Sequence, residues 1–189
     1  MKVFNLIAKA RSIRRYKENE PVSDKQLHYI AEAARFVPSA GNRQRLRLML
    51  INDDRRDAIF NELTFAGRLH PEWTGPKEGE RPVAYIVIMT DETPDTTLAI
   101  DIGIAAEAIL LSATDEGLGG CMFRSFDKEK LSAILGNETY KPELVISIGK
   151  PDEVVALQDV RPDGNLSYYR DAYGHHFVPK ISAEELILK

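Results

Sequence analysis

The stretch from Asp95 to Gly117 constrains this chain more than any other part of it. Asp95 or Thr96 opens a helix there, Ile100, Ile104, Ala105, Ile109, Leu110 and Leu111 follow, and Gly117 stops it after Glu116. Small and apolar residues cover most of its circumference, so it reads as a buried central helix rather than a surface helix with one apolar stripe. Any fold that contains such a helix has to surround it with other elements.

The rest of the chain supplies them. Val83–Thr90 is β-branched and aromatic with no polar residue inside it, which places it at the centre of a sheet. Leu48–Ile51, Cys121–Phe123 and Leu144–Ile148 read as further strands. Ser23-Asp24-Lys25-Gln26 has the spacing of a capping box and predicts a helix from Asp24 to Phe36, ended by Pro38. Asp53 or Asp54 caps another helix running to Phe65, and Asp127 caps one through Leu135. Gly67, Pro71, Gly75, Pro76, Gly79 and Pro82 leave 66–82 as a long loop, with His70 and Trp73 either in a lid or at the surface. Strands interleaved with helices without even alternation predict an α+β sandwich. From Pro151 the tail has little periodicity before Ser182–Leu188, which reads as a short helix or an added strand. About thirty such residues are unusual on a compact monomer, and a partner subunit is the economical explanation.

At 189 residues the chain fits one domain, 1–189, with a single core. Hydrophobic residues at 43% against 29% charged favour a globular chain over a disordered or membrane one. The longest unbroken apolar runs are far shorter than a bilayer span, and no secretory signal opens the chain, so a cytoplasmic protein with no membrane partner is expected. Cys121 is the only cysteine, which excludes an internal disulfide and a cysteine-based zinc site. It reads as a small buried residue. His175-His176 does not replace such a site, because neighbours in an extended segment face opposite ways; no metal is expected. The net charge is −4, yet Lys2, Lys9, Arg11, Arg14, Arg15 and Lys17 share a segment without acids, and Arg35, Arg43, Arg45 and Arg47 form a second cationic group. That pattern suits a small anionic ligand better than nucleic acid, which is not expected as a partner.

Two segments carry most of the chemistry. Arg11-Ser12-Ile13-Arg14-Arg15-Tyr16 offers guanidinium and hydroxyl donors suited to a phosphate, or else is a solvated basic turn. Ala33 to Gln44 offers small residues where a planar ligand can approach the backbone, then two carboxamides, Asn42 and Gln44, that donate and accept; alone it would pass for an ordinary helix-to-strand loop. Together they resemble the nitroreductase family, whose members begin with Arg-Ser-x-Arg-aromatic and continue to a helix ending Ala-Pro-Ser-x-Asn-x-Gln. Ala113–Cys121 is similar to that family's central helix and Gly-rich exit, and Val145–Pro151 to its terminal core strand. The resemblance therefore spans nearly the whole chain in order.

The resemblance implies an α/β/α sandwich with a mixed, mostly antiparallel sheet, a dimer with an extended C-terminal tail, and FMN at the dimer interface. By the same resemblance Arg11, Ser12 and Arg14 hold the flavin phosphate and ribityl chain, with Arg14 at the pyrimidine edge as the alternative. Pro38, Ser39, Ala40 and Asn42 of the opposite subunit cover the ring, with Gln44 close by. Gly119, Gly120, Cys121 and Met122, in a turn running to Arg124, pass the isoalloxazine edge, and Lys180 lies near the phosphate. No side chain acts as a catalytic nucleophile; NAD(P)H reduces FMN, and a small nitroaromatic or quinone acceptor reoxidises it by a ping-pong route. The departures are Ala10 where many members have another arginine, Gln44-Arg45-Leu46 in place of Gln-Pro-Trp, and Met122-Phe123-Arg124 in place of Trp-Ile-Gly. They imply a reshaped, more cationic pocket, with Lys180 or Arg170 replacing the lost phosphate contact. Two other readings stay open: a different enzyme on this fold, of reductive dehalogenase or flavin-destroying type, and a non-catalytic flavin-binding protein.

Overall fold

The computed structural model describes residues 2–188. Its frame is a four-stranded sheet of β1 (Arg47–Ile51), β2 (Ala84–Thr90), β3 (Gly119–Phe123) and β4 (Lys141–Gly149), in the order β1-β2-β4-β3. Every pairing in it is antiparallel. The parallel pairing that a mixed sheet implies lies outside this frame, in a lone bridge from Ser12 to Gly120 and in the tail.

Side chains alternate across the pleat, and the two faces carry two separate cores. Ile86, Ile88, Ile146 and Ile148 face one way, onto α2 (Asp24–Glu32) and α4 (Thr96–Asp115). Tyr85, Val87, Met89 and Val145 face the other, onto Ile59 of α3 (Arg56–Glu62) and Leu131 and Leu135 of α5 (Lys128–Leu135). Helices on both faces make the α/β/α sandwich. β2 is fully buried along its length, as its unbroken apolar run predicts. Each aliphatic side chain buried this way contributes roughly 1.5–3 kcal/mol.

The caps fall where the sequence puts them. Ser23 and Gln26 complete a reciprocal capping box at α2, Asp95 accepts from the Leu98 N–H at α4, and Asp127 accepts from two N–H groups at α5. Two helices are shorter than expected: α2 tightens into a 3₁₀ turn over Ala33–Arg35, and α3 stops at Glu62, where Leu63 turns extended.

Two expectations need correcting. First, α4 is buried on one face only. Leu98, Ala105, Ala106, Ile109 and Ala113 are inside, but Ile100 is 57% and Ile104 36% exposed. By length and composition α4 would pass for a membrane span; its packing on α2 and the sheet makes it a core helix instead. Second, the tail is not irregular. β5 (Val155–Asp159), β6 (Tyr169–Arg170) and β7 (His176–Lys180) form a second sheet in the order β5-β7-β6, followed by the short helix α6 (Ala183–Leu186). Strands this short, one of them containing Pro179, leave no periodic signature; cross-strand contacts such as Tyr169 stacked on Phe177 hold them together.

Candidate functional site

The basic segment after α1 (Val3–Lys9) is an extended strip held along both edges by main chain. On one side Ser12 bridges Gly120, with the Ile13 N–H donating to the Gly120 carbonyl at 2.9 Å. On the other, Tyr16 bridges Pro151, the Lys17 N–H donates to the Lys150 carbonyl, and the Asp152 N–H donates to the Arg15 carbonyl, each of the latter two at 2.9 Å. Glu153, its side chain 1% exposed, takes the backbone N–H groups of Arg14 and Arg15 and, at 2.6 Å, the Arg170 guanidinium. Tyr16 is wholly buried; its hydroxyl donates to the Ile13 carbonyl and lies 2.6 Å from Ser147 Oγ.

Glycine is required where this strip crosses the sheet. A Cβ on Gly120 would stand 2.4 Å from the Ser147 carbonyl oxygen, and one on Gly149 would meet the Tyr16 ring at 2.8 Å. The Gly-rich exit from α4 thus serves close packing whatever its N–H groups do for a ligand. Gly119, Gly120 and Cys121 are buried, and burial pushes the Cys121 thiol up; Met122 is half-buried and Arg124 exposed.

The arginines of the strip divide by task. Arg15 turns to Glu80, whose hydrogen bond raises its pKa, and is thereby committed to structure. Arg11 reaches back to the Ile7 carbonyl at 2.6 Å, closing α1, and keeps a buried Nε without a partner. Arg14 lies over the Tyr168 ring at 5.5 Å, with one long hydrogen bond of 3.4 Å to the Ser12 carbonyl. Arg170 is taken up by Glu153, by the Gly174 carbonyl and by the Trp73 ring. Trp73 is therefore packed against the tail rather than standing in a free lid. Lys180 is exposed at the end of β7, with no side-chain hydrogen bond or ion pair among the described residues. Of the adjacent pair His175-His176, His175 bonds Asp171 at the surface, whereas His176 is buried against Tyr168 with both ring nitrogens unpartnered. Burial, with the charges of Arg14 and Arg170, lowers His176 to a pKa of about 4.

The second segment follows the 3₁₀ turn. Gly41, Asn42 and Gln44 all have positive φ, at 58°, 53° and 51°. For Asn42 and Gln44 this left-handed geometry costs roughly 1–2 kcal/mol each, so neighbouring bonds must enforce it. The Gln44 N–H donates to Ser39 Oγ at 3.2 Å, and the Gln44 carboxamide donates to Asn42 Oδ1 at 3.3 Å. The Ala40 N–H donates to Asp101 Oδ1 at 2.9 Å. Arg45 turns inward, its side chain 1% exposed, to Asp101, Asp95, Glu92 and Thr97. Burial alone would lower the Arg45 pKa, but these acids raise it; Asp95 is held at about 2, first by the Leu98 N–H, then by Thr97 and by Arg45. Arg45 therefore does not make the pocket more cationic, as its sequence position implied. Pro38, Ser39 and Gln44 border a cavity of about 790 Å³ floored by Leu46, Leu48 and Leu50.

The structure thus gathers Arg11, Ser12, Arg14, Gly119, Gly120 and Cys121 into one group, and Pro38, Ser39, Ala40, Asn42 and Gln44 into another. Among the described residues no hydrogen bond joins the two. Sequence reasoning missed Glu153 and Asp101. For Asp101 a signal existed, since a carboxylate inside an otherwise apolar helix needs a buried partner.

Known proteins share this fold. A nitroreductase family protein from Streptococcus pneumoniae matches with a TM-score of 0.68 at 19% identity, covering 89% of this chain and 100% of that one. An FMN-dependent nitroreductase from Clostridium difficile matches with a TM-score of 0.63 at 25% identity, over 80% of this chain and 88% of that one. An iodotyrosine deiodinase from Thermotoga neapolitana is 24% identical over 168 residues, 80% of this chain and 89% of that protein. The family model described as "Nitroreductase family" matches residues 7–150, and the chain belongs to the nitroreductase family.

Proposed function

We propose that the chain is an FMN-dependent oxidoreductase that draws on NAD(P)H and reduces small nitroaromatic or quinone acceptors, working as a cytoplasmic homodimer. The observation that carries this reading is the backbone-clamped strip with two arginines that no carboxylate engages among the described residues: Arg11 spends one bond on the Ile7 carbonyl, and Arg14 has only a ring contact and one long bond. Planar guanidinium donors of this kind suit a phosphate dianion, so the residues fit the anionic end of FMN. Lys180, exposed and uncommitted, is a third cation for the same group. Met122 and Arg124 would border the ring edge together with the backbone from Gly119.

When bound, FMN supplies the hydride and electron chemistry. The chain binds it, orients it and keeps water from it; no side chain serves as a nucleophile. A homodimer is supported by apolar surface that a lone chain leaves in water: Val3, Phe4 and Ile7 on α1 and Ile100 and Ile104 on α4. In that dimer Pro38–Asn42 and Gln44 of one subunit would cover the cofactor of the other.

Purified protein loaded with FMN should oxidise NAD(P)H faster when a quinone or nitroaromatic is added, with the parallel double-reciprocal lines of a ping-pong route. Flavin-loaded protein that oxidises no NAD(P)H with any acceptor would contradict the reading. A second reading, reductive dehalogenation, is favoured by the deiodinase relative. Iodide released from an iodophenol under reducing conditions, without quinone reduction, would select it.

A further inference from the structure

A single carboxylate on the core helix touches both ends of the strained loop. Asp101 Oδ1 accepts the Ala40 N–H at 2.9 Å, and Asp101 Oδ2 lies 3.3 Å from the Arg45 guanidinium. Its side chain is 4% exposed and Arg45's 1%, so neither group has bulk water as an alternative partner. Between these anchors run Gly41, Asn42 and Gln44, all left-handed. Other restraints are the turn bonds of the Asn42 and Arg43 N–H groups to the Ser39 and Ala40 carbonyls, the Ser39 Oγ bond, the Gln44–Asn42 carboxamide bond, and the bond from Thr90 Oγ1 to the Arg45 carbonyl. Left-handed backbone at non-glycine residues persists only where the surroundings over-determine it. Asp101 is the one side chain among the described residues that bonds both ends of the loop.

We propose that Asp101 is a positioning residue, a clasp that shares one carboxylate between the Ala40 amide and Arg45 and so fixes the carboxamides of Asn42 and Gln44 at the cofactor of the opposite subunit. The second half of this statement rests on the function proposed above; the first does not. Arg45 is the residue that departs from the family's Gln-Pro-Trp pattern. A proline in its place would stiffen the backbone directly; this chain reaches the same end with a buried ion pair. The carboxylate acts on the ring side of the ligand, through the loop, and makes no phosphate contact of its own.

Hydrogen exchange in the wild-type protein tests the clasp with no cofactor present. The Ala40 amide should exchange at least tenfold more slowly than that of Gly41, which has no partner among the described residues, although both lie in a loop whose Asn42 N–H is held by the Ser39 carbonyl at 2.9 Å. Equal exchange at Ala40 and Gly41 overturns the clasp, and this holds even if the variants fail to fold. Asp101→Ala should speed exchange across 40–44. It should also weaken FMN and riboflavin by the same factor, about tenfold, because one charge-assisted bond to each end is lost. Asp101→Asn keeps an acceptor for Ala40 but not the ion pair, and should fall between Asp101→Ala and wild type. A merely structural role would lower the melting temperature and leave loop exchange and both affinities unchanged; that result overturns the proposal. So does a loss confined to FMN, which would put Asp101 on the phosphate side. Wild-type protein that binds neither flavin overturns the functional reading and the cofactor half of the proposal, while the exchange result still decides the clasp.

Discussion

The strip from Arg11 to Lys17 and the loop from Ser39 to Arg45 carry the two halves of the family resemblance, but they are held in opposite ways. The strip is gripped by main chain on both edges, through Gly120 on one side and Lys150, Pro151 and Asp152 on the other. The loop has its own turn bonds, but side chains tie it to the rest of the molecule, among them the Asp101 carboxylate at both of its ends. The difference sets how each responds to change. Ile13, Arg15 and Tyr16 anchor the strip, but the side chains of Arg11 and Arg14 can be replaced with little cost to its path and so are free to be chosen for a ligand. In the loop the holding groups and the presented groups belong to one network, and a substitution at Arg45 or Asp101 moves what the loop presents.

Crowding Gly120, whose carbonyl holds the strip, should have the largest effect. Gly120→Ala sets a methyl group 2.4 Å from the Ser147 carbonyl oxygen, which cannot yield cheaply, and 2.7 Å from a terminal methyl of Leu110. A loss of about 3 kcal/mol or more is expected in chemical denaturation. A variant as stable as wild type would show that β3 does not pack against β4 and α4 this tightly.

His176 probes where the tail meets the strip. Its pKa falls from 6.5 to about 4 in the folded protein through burial first, then through Arg14 and Arg170. Below pH 6.5 the unfolded chain takes up a proton that the folded chain refuses until about pH 4. Stability contributed by the neutral ring is therefore present above pH 6.5, lost as pH falls from 6.5 to 4, and flat below. The loss should be on the order of 2 kcal/mol, less than the full shift would give because nearby groups relax. His176→Phe keeps a ring against Tyr168 and should remove this slope. Wild type and variant with the same pH dependence between 4 and 6.5 would contradict the assignment.

The smallest effect belongs to an arginine near the loop that holds nothing. Arg35 pairs with Glu32 at 3.4 Å, with side chains 74% and 54% exposed. Arg35→Ala should change stability by less than about 0.5 kcal/mol. A larger loss, measured by thermal denaturation, would mean that surface charge shares with Asp101 the task of holding the loop.

Much of the frame was legible because it rests on local signals. The capping box at Ser23, the caps at Asp95 and Asp127, and the apolar run of β2 each state their element in a few residues. The tail sheet was not, since short strands such as Tyr169–Arg170 are defined by their partners and not by their own pattern. α4 misled in part: apolar residues all round it implied burial all round, but one chain covers a single face. At the candidate site the arginines stood out as types, while their division did not. Only the structure shows Arg15, Arg45 and Arg170 committed to acids and Arg11 and Arg14 less so, because that depends on carboxylates distant in sequence: Glu80, Asp101 and Glu153.

The central claim, that the strip holds the anionic end of FMN, is tested most directly by titrating FMN and riboflavin into wild type, Arg11→Ala and Arg14→Ala. A hydrogen bond to a charged group contributes roughly 1.5–3 kcal/mol, so loss of a phosphate contact should weaken FMN about tenfold to a hundredfold. Riboflavin has no phosphate and should be affected far less by Arg11→Ala. Arg14→Ala should follow the same pattern if it meets the phosphate, and should weaken both flavins if it meets the pyrimidine edge. Both variants should remain folded, since the path of the strip is set by main chain. Full FMN affinity in both would contradict the account and leave the strip a basic surface segment.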